Sequence, residues 1–299
     1  MSNELDKYKN KNSSRHHYIP QFLINGFVND NGLLYVYDKQ RDKILNKPKP
    51  PRSIFFETDR NTIGLNDGIQ SSILEDTLYQ DLDNIGSDIV RYYQTAKLNE
   101  MNFSDDKSTQ FLFFLISLFW RIPYTDNAVN DLVDNAVINS IGIDSEILRN
   151  DETFRKSRRS GIMIHTIKEM LKNPEALSKF INLNQFSKGI LVIGDNPLHF
   201  RKTSSKFSDF GKEDFLIALT SNRLYSSTKE SFIKLNDYNA IAYNIAVINQ
   251  SVRYVCCGEL EYLEKSVRLY NTISEKGLNY FIAERPFRNE YKTVPNKRI

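Results

Sequence analysis

Only two cysteines occur in 299 residues, and they are adjacent, Cys256 and Cys257. No C-x-x-C pair exists, which excludes a zinc ribbon and a thioredoxin-type site. Neighbouring cysteines close a strained ring as a disulfide. They read as reduced, buried core residues, and the lack of a disulfide framework fits the reducing cytoplasm. Histidine is scarce too. With only His16, His17, His165 and His199, a metal site built from histidines alone is nearly excluded. The chain has no Walker loop, no G-x-G-x-x-G, no H-E-x-x-H and no G-x-S-x-G. Long apolar runs are missing as well. The longest, Phe111–Ile116, is interrupted by Ser117, resumes as Leu118–Trp120 and stops at Arg121 and Pro123. A bilayer-spanning helix needs about 20 apolar residues, so no membrane partner is expected. Met1–Ser14 is polar, without the apolar stretch of a signal peptide, and reads as a disordered tail.

Charge of one sign is weak. The net charge of +3 implies neither nucleic acid nor an anionic surface unless the cations cluster locally. The one such cluster is Arg155-Lys156-Ser157-Arg158-Arg159, which reads as a solvated helix face or a phosphate-contacting patch. The 40% hydrophobic content is ample for a sizeable core. Phenylalanine and tyrosine, 19 and 16 against one tryptophan, should carry much of its packing.

Periodicity sets the organisation. Pro20–Asn25 fits a short helix with proline in its first turn. Asn29–Gly32 is a turn signal, and Leu33–Tyr37 with Lys43–Leu45 reads as a hairpin. Ile69, Ile73, Leu78, Leu82, Ile85 and Ile89 form one stripe of a long helix. A second helix opens at Ser104–Lys107, contains the Phe111–Trp120 run and ends before Pro123. Further helices are expected over 126–141 and 151–171, from Pro174, and over 237–255 and 259–281. Gly189–Ile193 and Phe215–Leu219 read as buried strands. The expected fold is α+β: a helix-rich globular domain over 15–299 with a small antiparallel or mixed sheet.

Four places could carry chemistry. Imidazole is a general base and metal ligand near neutral pH, so His16 and His17 are candidates. On a strand the two would face opposite sides. Arg15, Tyr18 and Gln21 add further polar groups to this apolar leader. Asp195-Asn196-Pro197 is a stiff turn directly after a strand, where a side chain can face a cleft or simply bond its own backbone. Arg121 ends the most apolar helix, either offsetting the helix dipole or presenting a guanidinium to a phosphate or carboxylate. Glu75 lies one position from the apolar stripe.

Those same positions resemble a widespread, mostly bacterial domain of unknown function, number 4238. Its leader H-H-Y-x-P-Q-F is matched by His16–Phe22, its Tyr-Asp-Lys by Tyr37–Lys39, and its Leu-Glu step by Leu74–Glu75. Its Arg-x-Pro is matched by Arg121–Pro123, with Ile122 where Thr is commoner. Its Ser-Asp-Asn-Pro is matched by Gly194–Pro197, with Gly194 in place of Ser. The resemblance implies one full-length domain and the same polar positions, and it implies no reaction.

Two functional expectations stand side by side. The first is a hydrolase acting on a phosphate-containing substrate, small molecule or nucleic acid. His16 or His17 would be base or ligand, and Asp195, with Glu75, would hold a divalent metal ion or orient water. Arg121 would stabilise developing charge, with Gln21 and Asn196 binding. The second is a non-catalytic binding or sensing module with a protein partner in a stress or phage-defence system, its leader a buried polar network. Convergence of His16, His17, Arg121 and Asp195 on one open pocket would favour the first; burial with partners satisfied would favour the second.

Overall fold

The computed structural model describes residues 15–64, 70–95, 105–135, 146, 150–172, 182–186, 189–201, 214–226, 237–277, 282 and 285–287. The N-terminal tail and the expected helix at Pro174 lie outside them.

The leader begins as a two-residue strand, β1 (His16–His17), and turns at Pro20 into a short helix, α1 (Gln21–Ile24). The expected hairpin follows as β2 (Tyr35–Asp38) and β3 (Lys43–Ile44). β4 (Phe56–Glu57) returns antiparallel to β1, setting His16 opposite Glu57 and His17 opposite Phe56. A small ribbon, β5 (Ile63–Gly64) with β6 (Gln70–Ser71), leads into the long helix.

That helix starts with a π-helical turn, Leu74–Tyr79, and continues as α2 (Gln80–Thr95). Its buried face runs through Tyr79, Leu82, Gly86, Ile89, Val90 and Tyr93. This corrects the stripe read from the sequence. The wide first turn resets the phase, and Ile85 falls at the edge of the face, 39% exposed. Gly86 is small for a reason: a Cβ there would meet the Phe114 ring at 2.5 Å. α3 (Asp105–Arg121) is the expected central helix, with Phe111, Leu112, Phe114, Leu115, Ile116, Leu118 and Trp120 all buried. Trp120 Nε1 donates to Thr166 Oγ1 at 3.1 Å, joining α3 to α5 (Glu152–Leu171). Pro123 breaks α3, and α4 (Asp126–Asp134) follows after a single 3₁₀ turn.

The second half is more strand-rich than its sequence suggests. β7 (Asn182–Gln185), β9 (His199–Phe200), β10 (Phe215–Thr220) and β11 (Arg223–Ser226) form an antiparallel sheet in the order β7-β11-β10-β9. Of the expected strand at Gly189–Ile193, only β8 (Ile193–Gly194) makes ladder bonds, although Ile190–Val192 are buried. The helix expected over 237–255 stops early. It is α6 (Asp237–Gln250), and Tyr254–Cys257 is a strand, β12, paired with β2 and β8. The order β3-β2-β12-β8 thus stitches the N-terminal hairpin to the C-terminal half. α7 (Leu260–Glu275) packs over it. The architecture is helix-rich α+β with small antiparallel sheets. Among the described residues no helix is long and apolar enough to cross a membrane.

Candidate functional site

His16 is fully buried on β1. Its Nδ1 accepts the backbone N–H of Asn61 at 2.8 Å, which leaves the proton of a neutral ring on Nε2. That Nε2 is buried without a partner. The Asn61 amide donates onward to Glu75 Oε2 at 2.7 Å, so Glu75 joins the leader through one intermediary. His17 points the other way, with its ring 5.7 Å from that of Phe56. Its Nε2 also lacks a partner. Burial holds its pKa below the usual histidine value, against opposing backbone contacts with Pro51 and Arg52 and the charge of Asp83. Gln21 is exposed at the start of α1.

Arg121 is buried and held by internal partners. Its guanidinium bonds Asp83 Oδ1 and, through Nη2, the Tyr79 carbonyl at 3.1 Å, and it lies over the Tyr79 ring. The carbonyl at the end of α3 is covered instead by Arg60, whose Nε donates to Arg121 O at 2.9 Å. Arg60 also grips Asp126 with both terminal nitrogens, and Arg159 shares that carboxylate. Most cations of the basic patch are therefore paired within the chain. Arg159 meets Asp126, Arg155 meets Asn130 and Asp134, and Lys156 meets the Asp59 carbonyl and Glu152.

Asp195 is buried and fully engaged. Its Oδ1 accepts the N–H of Val252 at 2.8 Å, and its Oδ2 accepts those of Arg253 and Tyr254 at 2.6 and 2.9 Å. Burial pushes its pKa up, while those three donors and the charge of Lys39 pull it down. Lys39 completes the same joint, with its ammonium donating to the carbonyls of Asn249 and Ser251 at 2.6 and 2.9 Å. Tyr-Asp-Lys and Asp-Asn-Pro thus have a common task. One supplies donors and the other acceptors to the tight turn between α6 and β12, whose backbone groups would otherwise be stranded. Gly194 belongs to this joint. A Cβ there would run into Ser251 Oγ, so this position has no room for a side chain.

A divalent metal does not fit these donors. Both oxygens of Asp195 already accept N–H groups of the turn, and no group of three or more His, Cys, Asp or Glu side chains among the described residues is placed to hold an ion.

Beside the two proline turns lies an open-sided cavity of about 360 Å³. One wall comes from the end of α3 and the start of α4: Phe119, Tyr124, Thr125, Asn127 and Asp131. The other comes from the turn after β8 and from α6: Asn196, Leu198, Phe200 and Gln250. The charged members of both motifs turn away as anchors, and their neighbours line the space. Of the residues singled out in the sequence, the cavity collects only Asn196. His16, His17, Glu75, Gln21, Arg121 and Asp195 do not line it. Gln250 braces the wall, as its Nε2 donates to the carbonyls of Asn196 and Leu198 at 2.6 and 3.1 Å and its Oε1 meets His199 Nδ1. Nothing local in the sequence marks Phe119, Phe200 or Gln250, which look like ordinary core and helix residues.

A family model described as "Protein of unknown function (DUF4238)" matches residues 15–258. No curated protein and no solved structure matches.

Proposed function

The chain belongs to the DUF4238 family, and we propose that it is a binding module whose ligand occupies the cavity between the Arg-x-Pro and Asp-Asn-Pro turns. The observation that carries this reading is the division of labour at those turns. Arg121 and Asp195 are 3% and 2% exposed and spent on internal partners, whereas Asn196 lines a ligand-sized space beside aromatic rings. The leader then serves as scaffold. His16 ties β1 to the Asn61 loop, and Asn61 ties that loop to the π-helical turn.

Ligand-observed NMR with a fragment set tests this. Fragments should bind the full chain, and Ala128→Trp, which fills the cavity from α4, should abolish that binding while the thermal midpoint stays within a few degrees. Binding that survives Ala128→Trp would contradict the reading.

The hydrolase reading keeps one observation in its favour. His17 is held towards its neutral, proton-accepting form, and its Nε2 has no partner. It predicts turnover of a phosphodiester or nucleic acid that His17→Ala and Asp195→Ala each abolish without loss of fold. Loss of activity only together with unfolding would remove it.

A further inference from the structure

Positive charge gathers at a place that does not stand out as a cluster in the sequence, because no two of its cations are adjacent. From Lys39 to Arg52 the chain carries six Lys and Arg against one acid, Asp42, an excess of five charges where the whole chain has three. Lys39 is spent on the turn after α6. Arg41, Lys43, Lys47 and Arg52 are exposed, and Lys49 is half-buried. Arg41 stands 3.9 Å from Asp38, and among the described residues no acid pairs with the other four. Asp42 itself is taken up by the Tyr37 hydroxyl at 2.8 Å and the Asn271 amide at 3.1 Å.

The fold sets these side chains out in a row. β3 is the edge of its sheet. Lys43 lies opposite Asp38, Leu45 bonds Val36, and Lys49 lies opposite Leu34. Six steps of the edge therefore cover four steps of β2, about 13 Å at the usual strand rise. The surplus bulges outward at Asn46 and Lys47, both exposed. Arg41 and Arg52 extend the row at its two ends. Arg253 joins at the first end, 3.6 Å from the same Asp38. Arg15 joins at the second, where its charge and the Arg52 backbone both act on His17.

The form of the row selects its partner. Lysine on a sheet edge discourages an added strand, and Pro48, Pro50 and Pro51 remove N–H donors from this one. The edge thus offers charge rather than backbone. Unpaired bases need bare aromatic rings to stack on, and the two rings beside the row are covered, Phe56 by Arg15 at 5.0 Å and Tyr254 by Arg253 at 4.6 Å. A membrane surface takes apolar anchors together with its cations, and no residue from Lys39 to Arg52 is among the exposed large hydrophobics. A stiff, linear polyanion fits better. Phosphates of one duplex strand recur about every 3.4 Å along the axis, so an edge of about 13 Å faces roughly four of them.

We propose that the edge from Arg41 to Arg52 is a docking surface for the phosphate backbone of duplex nucleic acid, engaged without base readout and independently of the cavity.

Fluorescence anisotropy of the full-length protein with a short random-sequence DNA duplex tests it. The duplex should bind with a Kd below about 100 μM at about 50 mM salt, and log K should fall with log salt at a slope of about −3 to −5. Lys43→Gln/Lys47→Gln/Lys49→Gln should weaken binding at least about tenfold and reduce the slope by about 2–3. Arg91→Gln/Arg158→Gln/Lys168→Gln removes as much charge from exposed positions on α2 and α5. It should weaken binding less than about threefold. Arg41→Gln/Arg52→Gln, at the two ends of the row, should lower the slope by about 2, a readout that does not depend on the folding of the first triple variant. No duplex binding at about 50 mM salt, or equal losses in the two triple variants, would overturn the proposal. So would equal affinity for the duplex and for the matching single strand, polyglutamate or phosphatidylserine vesicles.

Discussion

Arg60 clasps Asp126 with both of its terminal nitrogens, at 2.6 and 3.0 Å, and the same Asp126 Oδ1 takes a second guanidinium, that of Arg159, at 2.6 Å. Two nearly buried cations share one carboxylate, with Glu57 as the further acid on Arg60. The pair clamps the start of α4 to the β4 loop and to α5, and so holds one wall of the cavity.

Asp126→Ala should therefore cost about 2–3 kcal/mol in equilibrium denaturation, because it strands two desolvated guanidiniums. The figure sits below that for a fully buried pair because Asp126 itself is 32% exposed. A cost under about 0.5 kcal/mol would mean that Glu57 alone suffices.

Gly194 and Ser251 make a second relation open to mutation. Gly194→Ser should destabilise by about 1–3 kcal/mol through overpacking, since the new Cβ meets Ser251 Oγ. Ser251→Ala in the same chain should recover part of that loss. Val247 Cγ1, 2.9 Å from the same point, prevents full recovery. Additive effects in the double-mutant cycle would contradict the contact.

A pH dependence follows from His17. Its folded pKa lies below the unfolded value, with burial the largest cause. The unfolded chain then binds more protons between the two values, so stability contributed by the neutral ring is present above about pH 6.5 and is lost as pH falls through the folded pKa. His17→Phe should flatten that part of the stability profile. An unchanged slope in the variant would assign the titration elsewhere.

The sequence made the helices legible wherever burial is local. The Phe111–Trp120 run could only be a core helix, and Pro123 could only end it. It did not reveal β12, because Tyr254–Cys257 has no glycine or proline before it and its partners lie near residues 35–38 and 193–194. β7 and β11 were hidden for the same reason, since polar segments such as Asn182–Gln185 become strands through their neighbours. At the site, the two proline turns stand out in the sequence as stiff places, and each carries a charged side chain held by internal hydrogen bonds. Asp195 and Arg121 attract notice as charges, but desolvation makes each take partners within the chain, and of the residues singled out in the sequence it is the uncharged Asn196 that lines the cavity.

Adjacent substitutions in one turn test the account most directly. In equilibrium denaturation, Asp195→Asn should lose about 1–3 kcal/mol, because an amide NH₂ must face at least one of the three backbone N–H donors. Asn196→Leu, similar in shape and removing an amide without an internal partner, should change stability by no more than about 0.5 kcal/mol. The reverse result, with Asp195→Asn neutral and Asn196→Leu costly, would contradict the account, since Asp195 would then be free for chemistry and Asn196 would be the structural member of the pair.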